Sequence, residues 1–97
     1  MIIDLAEADG ALARDAEICV IGAGAAGLTV ARRLLAAGRS VVILESGGSD
    51  YEADIADLNA GDNVGEAYYA LDQARLRFFG GTTAIWGGRC AELDPIE

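Results

Sequence analysis

Along the chain, apolar residues gather into two short solid runs with a helical stripe between them. Glu17 to Ile21 reads EICVI and Ser40 to Leu44 reads SVVIL. Such β-branched runs without alternation suit strands of a parallel sheet that is covered on both faces, which would bury Cys19 as a small hydrophobe. Between the runs, Leu28, Ala31, Leu34 and Leu35 recur at helical spacing, while Arg32 and Arg33 fall on a solvated side. Arg39 sits at the carboxyl end, where a cation suits the helix dipole, and Gly38 is the stop signal. Residues 17–45 therefore predict strand, tight turn, helix and strand, a βαβ unit.

On either side the pattern weakens. Residues 1–15 mix acids, Ala and Gly, with Leu5 and Leu12 on one weak helical face, and are read as a leader. Residues 46–79 form a connecting segment: the loop SGGSD, a short amphipathic helix over Tyr51–Asn59, a break at GDNVG, and a stretch from Glu66 to Phe79 without a dominant period. A second glycine-rich loop follows at residues 80–88, and Pro95 lies in a tail, LDPIE, with neither cap nor strand end. The predicted fold class is α/β, a Rossmann-like dinucleotide-binding βαβ unit in an incomplete domain. Two strands and one crossover helix leave apolar sheet edges that a parallel sheet needs covered.

Composition narrows the chemistry. The 97 residues carry 16 acidic and 7 basic side chains, a formal charge of -9, which argues against nucleic acid or an anionic membrane as partner. Every basic residue is Arg, so no lysine-dependent phosphate loop or Schiff base can form, and histidine, the commonest general base, is absent. Cys19 and Cys90 lack metal or redox spacing, so no metal site is expected. No apolar stretch reaches the ~20 residues of a membrane span, and the acidic start lacks a basic targeting region, so a cytoplasmic setting is expected.

The site signal lies at the first strand–helix junction. Gly22, Gly24 and Gly27 form G-x-G-x-x-G, where the first glycine permits the turn, the second admits a pyrophosphate and the third lets helix and strand approach. Free amides at the helix start, around Ala25 and Ala26, would neutralise the diphosphate without lysine. Glu45 ends the second strand 18 residues after Gly27, with Ser46 beside it. A carboxylate there accepts hydrogen bonds from the adenosine ribose and repels a 2′-phosphate, favouring FAD or NAD over NADP.

Residues Arg75 to Cys90 read RLRFFGGTTAIWGGRC. Gly80 and Gly81 allow close backbone approach to a planar or anionic group, and Thr82 and Thr83 could cap a short helix and donate hydrogen bonds. Together with the opening GAGAAG and LESGG, this segment resembles the glucose-methanol-choline (GMC) family of FAD-dependent oxidoreductases, over roughly Glu17 to Ile96. The resemblance implies FAD as cofactor and contacts to it from Gly81, Thr82, Thr83, Trp86, Gly87 and Gly88. It also implies oxidation of alcohol or sugar CH-OH groups by hydride transfer to the flavin. Where some members tether FAD through a histidine, this chain has Ile85, so the flavin is expected to be held noncovalently.

The family's catalytic histidine pair belongs to a later part of a longer chain, so no catalytic residue is assigned and the remainder of the same enzyme is the expected partner. Two other readings share parts of the pattern. An NAD-dependent dehydrogenase would share the first glycine motif but does not need the loop at 80–88. A noncatalytic binding module would keep the fold without turnover.

Overall fold

The computed structural model describes residues 1–8, 10 and 13–91. Leu12 and the tail containing Pro95 and Ile96 lie outside the described residues. No helix or strand precedes β1 (Ile18–Ile21) among the described residues. It is followed by α1 (Ala25–Ala36) and β2 (Val41–Leu44), and the strands pair in parallel with Ile18 opposite Val41 and Ile21 opposite Leu44. The chain is thus a small α/β unit, part of a Rossmann-like FAD-binding fold.

Short-range chemistry fixes both ends of the βαβ unit. Where the strands begin, the Ser40 N–H donates to Glu17 Oε2 at 2.9 Å and the Glu17 N–H donates to Ser40 Oγ at 3.0 Å, so each strand start holds the other in register. The Ser40 amide, then the Arg39 guanidinium at 2.9 Å, keep the Glu17 carboxyl below its ordinary range. At the far end of α1, the Arg39 N–H reaches the Leu34 carbonyl at 3.0 Å and the Gly38 N–H reaches that of Leu35 at 2.9 Å. This is a Schellman closure, and Gly38 takes the left-handed backbone it requires, with φ +76°.

Packing departs from the expectation of strands covered on both faces. Among the described residues the buried apolar positions are Ala23, Ala31 and Ala56, small side chains all. Ile21 is 86% exposed and Leu44 49%. Cys19, expected inside, is exposed. It shares one face of β1 with Ile21, and within this segment α1 covers the opposite face, where Ile18 and Val20 are half-buried. On the helix, Ala31 is buried and Leu34 half-buried, but Leu35 points outward and Arg32 and Arg33 are exposed.

The connecting segment contains more turns than helix. The amphipathic stretch at 51–59 becomes a single α-turn, α2 (Ala53–Ala56), and a 3₁₀ turn at Asp57–Asn59. A second one-turn helix, α3 (Leu71–Ala74), lies in the stretch that showed no period. The chain then runs back beside the end of β2, with the Phe79 N–H donating to the Gly48 carbonyl at 3.0 Å. That return carries the second glycine-rich bend to the first.

Candidate cofactor site

The two glycine-rich bends meet at Ala23. Its carbonyl accepts the Gly80 N–H at 2.9 Å, and Gly24 and Gly80 form a parallel bridge. Its own N–H donates to Glu45 Oε2 at 2.6 Å. Both peptide groups of a residue only 2% exposed are therefore held, one by the end of β2 and one by the second bend. A Cβ built at Gly81 would come within 3.5 Å of the Gly24 Cα, so the two backbones are in van der Waals reach.

Close approach also explains the third glycine of the motif. A Cβ built on Gly27 would overlap the Gly22 carbonyl oxygen and lie 3.3 Å from Val20 Cγ1, so any side chain would push α1 away from β1. At Gly24, in contrast, a Cβ meets nothing within 4 Å. Open space therefore faces the start of α1, whose first amides, at Ala25 and Ala26, have no partner inside the helix and no capping side chain. A diphosphate fits there: helix-start amides without a side-chain cap, the positive end of a three-turn helix and room at Gly24 coincide.

Glu45 is half-buried at the rim of this space. Its Oε1 accepts the Ser46 N–H at 3.0 Å, the Ser46 hydroxyl at 3.3 Å and the Gly47 N–H at 3.3 Å, while Oε2 faces Ala23. Partial burial alone would raise its pKa. The amides of Ala23, Gly47 and Ser46, with the Ser46 hydroxyl, outweigh that and hold the carboxyl below its ordinary range. Glu45 is thus ionised and stitched to the first bend, a structural role that the spacing argument did not contain.

The later candidates divide. Gly81, Thr82 and Thr83 fall in a 3₁₀ turn, Gly81–Ala84, capped by Gly80 without a side-chain bond. The threonines do not cap it as expected. Thr83 Oγ1 donates to the Gly80 carbonyl, and Thr82 Oγ1 accepts the Leu76 N–H at 3.2 Å. Both hydroxyls bond to the chain entering the turn, and the Gly81 N–H is taken by the Phe78 carbonyl at 2.8 Å. Trp86, Gly87 and Gly88 lie beyond the turn and are exposed. Among the described residues they make no hydrogen bond to the first bend.

Sequence reasoning passed over Ala23, Asn59 and Arg77. Arg77 Nε donates to Asn59 Oδ1 at 2.7 Å and Nη1 donates to Ser46 Oγ at 3.3 Å. The sequence signal was a charge in the string RLRFF, next to the second glycine pair, and the structure leaves Arg77 half-buried.

A strand, a glycine bend and a helix N-terminus, with an acid closing the next strand, define a dinucleotide-binding protein of the α/β class. The chain belongs to the FAD dependent oxidoreductase (DAO) family, whose model matches residues 17–95, a stretch that includes both glycine-rich bends. FAD is the cofactor of that family. Comparison with curated proteins and with solved structures gave no match. Among the described residues no helix is long and apolar enough to cross a membrane, and no cluster of side chains could hold a metal ion.

Proposed function

We propose that this chain is the FAD-binding amino-terminal part of a GMC-type oxidoreductase that oxidises CH-OH groups of alcohols or sugars. The observation that carries the proposal is the meeting of the two bends at Ala23, in front of an uncapped helix start. In this reading Gly22, Gly24, Ala25, Ala26 and Gly27 hold the diphosphate by backbone. Glu45 and Ser46 face the adenosine ribose; each carboxylate oxygen has two lone pairs, and Oε2 spends only one on Ala23. Gly80, Gly81, Thr82, Thr83, Trp86, Gly87 and Gly88 form the wall toward the flavin.

FAD, when bound, supplies the two-electron acceptor. The support for CH-OH donors is the likeness of GAGAAG, LESGG and GGTTAIWGG to the GMC pattern. Ile85, which has no nucleophilic atom, supports noncovalent attachment. The base, the substrate walls and the small alcohol or sugar they enclose belong to the remainder of the enzyme. Membership of an FAD-dependent family favours flavin over the NAD-dependent reading of the same glycine motif. The proposal includes a cytoplasmic setting and no nucleic-acid partner, for which charge and sequence pattern are the support.

The purified full-length protein tests this directly. It should absorb near about 450 nm as a flavoprotein, release the chromophore into the supernatant on acid precipitation, and bleach anaerobically with alcohols or sugars. Bleaching by amines or amino acids alone would overturn the donor class, and a colourless protein that takes up no FAD would overturn the site.

A further inference from the structure

We propose that Arg77 is a positioning residue of the cofactor site, steering Glu45 through the Ser46 hydroxyl. The inference rests on the assignment of Glu45 to the dinucleotide. Its basis is one continuous chain of hydrogen bonds. Arg77 Nη1 donates to Ser46 Oγ at 3.3 Å, the Ser46 hydroxyl donates to Glu45 Oε1 at 3.3 Å, and Glu45 Oε2 accepts the Ala23 N–H at 2.6 Å. A cation is thus one hydroxyl away from the carboxylate that holds the first glycine bend. The donor from Arg77 fills an acceptor position on Ser46 Oγ and leaves its proton for Glu45.

Arg77 is itself held in place from two directions. Asn59 Nδ2 donates to the Arg75 carbonyl at 3.2 Å, which turns Asn59 Oδ1 toward Arg77 Nε at 2.7 Å. Main chain fixes the distance: a Cβ at Gly47 would overlap the Arg77 carbonyl oxygen, so residues 46–48 and 77–79 run in direct contact. Only a planar fork can give Nε to one partner and Nη1 to another at a set angle; a lysine ammonium offers one centre. Nε and one N–H of Nη1 are spent on protein atoms, which holds the guanidinium plane in place as a support of the site.

The test uses FAD titration of the full-length enzyme after flavin removal, with the melting temperature of each apo variant as a check on folding. Arg77→Met and Ser46→Ala should each weaken FAD binding about tenfold, the worth of one hydrogen bond to a charged group. Because they interrupt one path, the double variant should be no more than about twofold weaker than either alone. Ser46→Thr, which keeps the hydroxyl, should restore binding, whereas Arg77→Lys should not.

A double variant weakened about a hundredfold, or a Ser46→Thr enzyme as weak as Ser46→Ala, overturns the relay. Should Arg77→Met fail to fold, Arg77→Lys takes its place in the cycle with Ser46→Ala: about tenfold weaker FAD binding that adds no more than about twofold to the loss in Ser46→Ala supports the relay, and wild-type affinity in Arg77→Lys overturns it. Wild-type enzyme that takes up no FAD would sink the site assignment and this inference with it. Normal wild-type binding with unaffected variants sinks the inference only.

Discussion

Replacing Gly24 with alanine separates a ligand role from a structural one. Gly24 caps α1 from extended backbone, φ -79° and ψ -174°, which any residue adopts, and an added Cβ meets no atom within 4 Å. The fold has no steric reason to require glycine there. Losing glycine at a cap costs up to about 1 kcal/mol, and the stiffer unfolded chain returns about 0.4–1 kcal/mol. Apo stability should therefore stay within about 1 kcal/mol of wild type, a shift of a few degrees at most in a melting curve. Binding should behave differently. If the space before Gly24 receives the diphosphate, the new methyl group occupies ligand volume, and overpacking of that size costs about 1–3 kcal/mol, or roughly 5- to 150-fold in Kd. Fluorescence titration of the deflavinated full-length enzyme with FAD, beside its melting curve, reads both quantities. An unchanged Kd would refute the cradle. So would a loss of apo stability as large as the loss of affinity, because Gly24 would then serve the fold.

Gly27→Ala should show the opposite balance, destabilising the apo protein by about 1–3 kcal/mol because its Cβ has no room against the Gly22 carbonyl; a melting curve identical to wild type would contradict the packing argument. Glu45 has a depressed folded pKa, so its stabilising contribution is complete above the ordinary value of 4.5 and is lost as pH falls through the folded value. Glu45→Gln should remove that acid-side contribution from the pH dependence of apo melting, and a variant with the same profile as wild type would assign the dependence to another carboxylate. The 97 residues on their own should lack a cooperative melt at micromolar concentration, since the described core is alanine and Ile21, Leu44, Phe79 and Trp86 stay exposed; a sharp monomeric transition without FAD would overturn that expectation.

Sequence alone determined the elements whose cause is local. Residues 17–45 announced two strands and a helix because β-branched runs, a 3.6-residue stripe and Gly38 act within a turn or two of themselves. The G-x-G-x-x-G spacing was legible for the same reason: a turn, an open helix start and a helix–strand contact are all set within six residues. Only the tertiary structure decided that residue 80 bonds to residue 23, that Glu45 spends an oxygen on the Ala23 amide, and that Arg77 reaches Ser46. The first and last join positions 57 and 31 residues apart across a connecting segment whose stretch from Glu66 to Phe79 has no dominant period to fix its path, and the second spans 22 residues within the βαβ unit. Burial followed the same division. A run such as EICVI states that a strand wants cover, but which face receives it depends on what packs there, and α1 covers one side of β1 while Cys19 and Ile21 face outward.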